Sequence, residues 1–259
     1  MLIFLSPSKT INFKDVNDWI IPTTPQFLEQ SKQLVAVIRT LGPNLEQVFG
    51  VSSAIAAENF KQFQDWSPIP KGTDSCPAAW AYRGETYAGL SIEKLDRQSI
   101  QFAEQHLYLI SGLYGLLRPC DLISPYRLEI TTKLEGPWGK TLYDFWGDRL
   151  TKYIEKQKPE VIVNCASEAY FHVIGNHLSP TIPVMTPRFL HQGLQKMAFS
   201  KYSRGLMSRW IIEQKLKDPK EIIKFNAEGY VYDAKRSTEC EPVFNAPANF
   251  SLAGRWKKS

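Results

Sequence analysis

Three short apolar runs, Leu2 to Leu5, Leu107 to Ile110 and Val161 to Val163, each break into a polar, turn-rich segment, and nothing else constrains the fold as strongly. Runs this short, bounded by turn residues, predict buried strands. Segments with helical spacing lie between them, so the expected class is α/β (or α+β), a mixed sheet with surrounding helices. A chain of 259 residues, 43% of them hydrophobic, can bury one full core. It is read as a single domain over 1–259, with a tail at 246–259 expected to be flexible.

Thr24 and Pro25 read as the N-cap and first position of a helix that runs to Leu41, where Gly42 and Pro43 stop it. Helices are also expected over 44–48, 53–63, 99–105 and 141–157, and Pro68, Pro70, Gly72 and Pro77 mark a long loop between the second and third of these. In the last third, 183–185, 196–199, 230–232 and 242–244 read as strands, and about 202–216 as a basic helix. No apolar run approaches the roughly 18–20 residues that span a bilayer, and the opening residues carry neither a basic leader nor a cleavage site. A soluble, cytoplasmic chain with no membrane partner is expected. Cys76, Cys120, Cys165 and Cys240 form no Cys-x-x-Cys pair, so free thiols are expected in place of disulfides or a zinc site.

Four constellations can carry function. The densest is the loop 111–129, where Gly112 and Gly115 permit close backbone approach, Pro119 and Pro125 stiffen the path, and arginines, tyrosines and carboxylates converge. Arg118 and Arg127 can grip an anion, while Tyr114 and Tyr126 can stack on a planar group; Ser111 opens the loop. The competing reading is an internal network, Arg118 with Asp121 and Arg127 with Glu129, that only fixes the loop. The second constellation, Ser6 to Thr10, follows the first strand, where ligands of α/β sheets collect, and Lys9 with Thr10 can hold a phosphate or carboxylate. It lacks the glycines of a P-loop, and a surface turn capped by Ser and Thr is the stronger alternative. The third, 164–170, opens a helix after another strand; Ser167 has N-cap character, and Asn164 and Glu168 flank it. Ser167 has no nearby histidine and no Gly-x-Ser-x-Gly elbow, and the four histidines show no metal-ligand spacing, so no metal and no cofactor are expected.

The fourth constellation, Leu45 to Phe60, follows the helix-hairpin-helix pattern over 43–64, in which the amides of Gly50, Val51 and Ser52 would grip a DNA phosphate. Ser52 stands where the second glycine of that motif belongs, and Lys61 is the nearest lysine. A plain helical hairpin with Gly50 as C-cap is the alternative. Residues 196–224 carry eight basic against three acidic groups, an excess equal to the net charge of +5 for the whole chain. Lys201, Arg204 and Arg209 on that stretch can neutralise a polyanion, or can simply be a solvated face.

The opening Met-Leu-Ile-Phe-Leu-Ser-Pro-Ser-Lys-Thr, the Ser-Gly-Leu-Tyr-Gly-Leu-Leu-Arg-Pro run from Ser111, Pro-Tyr-Arg-Leu-Glu from Pro125, Tyr-Asp-Phe-Trp-Gly from Tyr143, Asn-Cys-Ala-Ser-Glu from Asn164, Arg-Gly-Leu-Met-Ser-Arg from Arg204 and Phe-Asn-Ala-Glu-Gly-Tyr from Phe225 resemble the bacterial YaaA family of peroxide stress proteins. The likeness covers nearly the whole chain in order, departing at Ser8, where the family more often has alanine. It implies a family-specific fold with a helix-hairpin-helix element, binding to double-stranded or distorted DNA, and a cytosolic protein that limits free iron during peroxide stress. A separate reading, from the residues, is an enzyme acting on a nucleobase or nucleotide in a pocket lined by Lys9, Arg118, Tyr126, Arg127 and Glu168, with Glu129, Glu168 or Tyr126 as acid or base. Oligomeric state is left open.

Overall fold

The structure is a computed structural model that describes residues 1–13, 16–69 and 75–255. In chain order it runs β1 (Leu2–Leu5), α1 (Leu28–Leu41), α2 (Leu45–Phe49), α3 (Ser53–Asp65), β2 (Cys76–Pro77), α4 (Ala78–Ala81), α5 (Glu85–Leu90), α6 (Arg97–His106), β3 (Leu107–Ser111), β4 (Gly115–Leu117) and β5 (Leu122–Ile123). It continues through α7 (Leu142–Trp146), α8 (Arg149–Lys156), β6 (Ile162–Cys165), α9 (Glu168–Gly175), β7 (Val184–Met185), β8 (Arg188–Leu190), α10 (Met197–Glu213), β9 (Val231–Tyr232) and β10 (Val243–Asn245).

The three apolar runs become the centre of a five-stranded mixed sheet ordered β4-β3-β1-β6-β7. β1 lies parallel to both neighbours, with Leu5 opposite Leu109 on one side and Cys165 on the other. Its four residues are all buried, which is why the run is uniformly apolar and not alternating. Burying a side chain such as Phe4 or Leu5 contributes about 1.5–3 kcal/mol each. The chain leaves β1 toward β3 and later crosses back to β6 on the opposite side. The carboxyl ends of β1 and β6 therefore flank a point where the strand order reverses, the place where open α/β sheets bind ligands.

Several elements differ from the sequence expectation. The stretch 111–129 is no continuous loop: it reverses at once into β4, antiparallel to β3, and then forms β5, which pairs with β2. Its glycines serve packing, since a Cβ on Gly112 would stand 2.3 Å from the Leu128 carbonyl oxygen and one on Gly115 2.8 Å from the Trp146 ring. The expected helix over 141–157 is two, broken where Gly147 takes φ of 47°. Helix α1 begins at Leu28 and not at Pro25, because Thr23 and Thr24 are held by Asp121 and Arg118 in a tertiary contact that overrides the capping signal. Residues 196–199 are no strand but the start of α10, where Phe199, Tyr202 and Leu206 recur at helical spacing.

α10 lies against α5 through a reciprocal glycine contact. A Cβ on Gly205 would fall 1.8 Å from the Thr86 carbonyl oxygen, and one on Gly89 2.1 Å from that of Tyr202. Only glycine lets the two backbones touch. Most of the segment expected to be a flexible tail packs on the domain: Phe250 is buried against Phe199, Tyr202 and Tyr230, and Arg255 pairs with Glu228 at 2.6 Å. Residues 70–74 of the long loop and 256–259 of the tail lie outside the described residues.

Candidate functional site

The registered ends of β1 and β6 deliver Ser6 and Ser167 side by side. Ser6 Oγ accepts from the Ser167 amide at 2.8 Å and donates to Ser167 Oγ at 3.3 Å, tying the two loops together. Ser167 precedes α9 without capping it through its own side chain, so the first amides of that helix have no hydroxyl partner there. Across from them stand the start of α5 and the first half of α10, held close by the glycine contact. These elements enclose a cavity of about 340 Å³ lined by Ser6, Lys9, Arg83, Ser167, Lys201 and Arg204, with the rings of Tyr87 and Tyr170 also in its wall. The Tyr87 hydroxyl donates to the Ser6 carbonyl at 3.0 Å and fixes the floor.

The electrostatics of this cavity have one sign. Lys9, Arg83, Lys201 and Arg204 face a single carboxylate among the lining residues, Glu85. Lys9 is shared with Glu129 at 2.7 Å, and Arg83 donates to the Asn12 carbonyl at 2.7 Å while its buried Nε has no partner. Among the described residues Arg204 has no carboxylate partner, and burial pulls its guanidinium below the usual arginine range. A desolvated arginine held unpaired costs stability, and an anion entering the cavity would relieve that cost. Cys165 also lines the wall, but burial pushes its thiol up to about 11, so it is an inert neighbour and no nucleophile.

Of the residues expected at a ligand, the structure brings Lys9, Thr10 and Ser167 to this cavity. Tyr126 and Arg127 line a smaller adjoining one that shares Lys9 and Thr10 with it. The others are elsewhere. Arg118 follows β4, whose antiparallel course carries it back toward the amino end of β3, where it pairs with Asp121 at 2.9 Å. Arg118 lines neither cavity, and its guanidinium meets Asp121 and the Thr24 carbonyl, the internal network weighed against a ligand role. Tyr114 is buried, accepting from Trp66 Nε1 at 2.8 Å and from the Ser124 amide at 3.1 Å. Asn164 accepts from the Ala166 amide and shapes the turn after β6. Glu168 is exposed and lies outside the cavity lining. Glu129 bonds Lys9 and also lies 3.7 Å from Arg127. Ser111 and Tyr126 belong to a buried hydroxyl chain, Ser111–Tyr126–Tyr82, with both links at 2.6 Å. Burial raises both phenols well above their usual value, so at neutral pH they carry protons and cannot serve as bases.

The residues expected at DNA also divide. Lys201 and Arg204 join the cavity; Arg209 instead pairs with Glu213 at 2.7 Å one turn on. At the helical hairpin, Gly50 adopts a left-handed C-cap, and its amide and that of Val51 both donate to the Glu46 carbonyl, so neither is open to a phosphate. The amides left over are those opening α3 after Ser52, which has no side-chain cap bond, and Lys61 lies exposed farther along that helix. Among the described residues no group of three or more His, Cys, Asp or Glu is placed to hold a metal ion, and no helix is long and apolar enough to cross a membrane.

Sequence reasoning missed Arg83, Tyr87 and the wall position of Tyr170. Arg83 and Tyr87 lie in a stretch with no strong periodicity, and only the crossing of α5 with α10 makes them cavity residues. The family model described as peroxide stress protein YaaA matches residues 1–236, a span holding the whole cavity and every strand but β10, and the chain belongs to that family of peroxide stress proteins.

Proposed function

We propose that this peroxide stress protein acts in the cytosol, where it limits free iron during peroxide stress and binds double-stranded or distorted DNA, seating backbone phosphate in the cation-lined cavity at the ends of β1 and β6. One observation carries the reading: Arg204, half-buried and without a carboxylate partner among the described residues, stands with Lys9, Arg83 and Lys201 around hydroxyls and the start of α9. Helix starts, hydroxyls and arginines are the usual recognition set for phosphate. Exposed Lys201 and Lys9 would receive the strand at the mouth. The α3 amides with Lys61 would offer a second backbone contact.

The test is fluorescence anisotropy with a labelled duplex over a range of salt. Arg204→Gln and Lys201→Gln are each expected to weaken binding about tenfold and to flatten the dependence of log affinity on log salt by about one unit. Arg209→Gln, whose cation is already neutralised by Glu213, should bind like the parent. Parent-like affinity and salt slope in Arg204→Gln and Lys201→Gln would remove the assignment.

A further inference from the structure

The cavity beside the phosphate seat holds an unusual set of unsatisfied groups. Its volume is about 200 Å³, and its walls include Asn59 and Gln62 of α3 together with Tyr126 and Arg127. Asn59 is only 2% exposed, yet its Nδ2 has no hydrogen-bond partner. Gln62 donates through Nε2 to Glu58 at 3.3 Å, which leaves its buried Oε1 without a partner, and the buried Nε of Arg127 also has none. Of six such orphaned side-chain atoms among the described residues, three belong to side chains that line one small cavity, and a fourth, Arg83 Nε, belongs to one that lines the neighbouring cavity. Folded proteins pair nearly all buried polar groups, so three orphaned atoms on side chains that line one void point to a partner that the void admits once those side chains turn toward it.

The pattern specifies that partner. Two donors, Asn59 Nδ2 and Arg127 Nε, and one acceptor, Gln62 Oε1, match a group that presents acceptors beside a donor. Asparagine, glutamine and arginine read the edges of nucleobases in this way. Ile55, Pro125 and the Tyr126 ring supply an apolar wall against which a flat ring can lie. The space is smaller than the roughly 300–1,000 Å³ of whole-ligand pockets, which suits a single ring system and not a complete nucleotide. Because both cavities share Lys9 and Thr10, a ligand with an anionic end and a planar hydrogen-bonding end can occupy both.

We propose that the second cavity is a nucleobase site, so that the two cavities together hold one nucleotide unit whose base is unpaired. This rests on the phosphate reading above for its orientation, and the source is either a free nucleotide or a base exposed in a distorted strand. The expected chemistry is recognition, with no bond made or broken.

Calorimetric titration separates the possibilities. Deoxynucleoside monophosphates are compared with deoxyribose 5-phosphate, and a duplex carrying one bulged base with the same duplex carrying an abasic bulge. The base is expected to add at least about tenfold to affinity in one of these pairs. Gln62→Met and Asn59→Leu should abolish that increment while leaving affinity for the base-free ligand unchanged, and thermal melts of the free variants should show little or no loss of stability, since each removes an orphaned polar atom and Gln62→Met gives up only the long, exposed bond to Glu58. An increment confined to free nucleotides, or to the bulged duplex, supports the site and names its source. No increment in either pair, or an increment retained in both variants, overturns the proposal. Nucleosides without phosphate probe the second cavity alone: binding that depends on Gln62, together with a silent Arg204→Gln, would sink the phosphate seat and leave the base site standing.

Discussion

Replacing Gly205 by alanine tests the packing on which the cavity depends. The added Cβ would lie 1.8 Å from the Thr86 carbonyl oxygen, and ordinary contact begins near 3.4 Å, so the α5–α10 crossing must open by roughly 1.6 Å. The obstacle is backbone, which cannot swing aside as a side chain can. Overpacking typically costs about 1–3 kcal/mol, and an unyielding neighbour places this case at the upper end. Alanine recovers about 1 kcal/mol of helix propensity, leaving a net loss of about 2 kcal/mol. For a chain of this size each kcal/mol moves Tm by about 2–4 °C, so a fall of about 4–8 °C is expected in a calorimetric melt. Phosphate-dependent binding should weaken as well, because the crossing sets how closely Lys201 and Arg204 approach Arg83. Gly50→Ala is the control: unlike Gly205 it has a positive φ, 60°, but nothing lies within 4 Å of the new Cβ, so only about 1–2 kcal/mol of left-handed strain is incurred and binding through the cavity stays intact. A Gly205→Ala protein that melts at or above the parent temperature would refute the argument that backbone contact holds these helices together.

Two further outcomes follow from burial. His106 Nδ1 donates to the Met1 carbonyl at 2.8 Å, and burial holds its pKa below the ordinary 6.5. The unfolded chain therefore binds more protons in that interval, and the His106 contribution to stability is lost as pH falls from 6.5 to the folded value; denaturant melts of His106→Gln should lack that fraction of the decline, and identical pH profiles for the two proteins would contradict it. Thiol titration of the native protein just below the ordinary thiol pKa of about 8.5 should find Cys240 reacting fast and Cys76, Cys120 and Cys165 protected until denaturant is added, while a second fast thiol would show that the core is looser than its packing implies.

The sheet was legible because its central strands are buried on both faces, which forces unbroken apolar runs at 2–5, 107–110 and 161–163. The family was legible too, through motifs that run in order from the first strand to the last third. Less legible were elements decided by contacts distant in sequence. Thr24 and Pro25 have every local mark of a helix start, yet Asp121 and Arg118 hold the stretch from Thr23 outside the helix, which begins at Leu28. Residues 196–199 look like a strand in isolation, but their apolar side chains continue the face of a helix that only the core completes.

The candidate site shows the same division. Composition and position made Lys9, Thr10 and Ser167 candidates, since polar residues after buried strands must emerge at one edge of the sheet. Nothing in the sequence, however, distinguishes Arg118, turned back by an antiparallel strand into a pair with Asp121, from Arg204, which lines a cavity with no carboxylate partner among the described residues. Charge, hydroxyls and glycines were all visible as a list. Which of them meet was fixed by the parallel register of β1 with β6 and by two glycines that let α5 and α10 touch, because distances between residues about 120 or 160 positions apart are set by tertiary packing and by no local propensity.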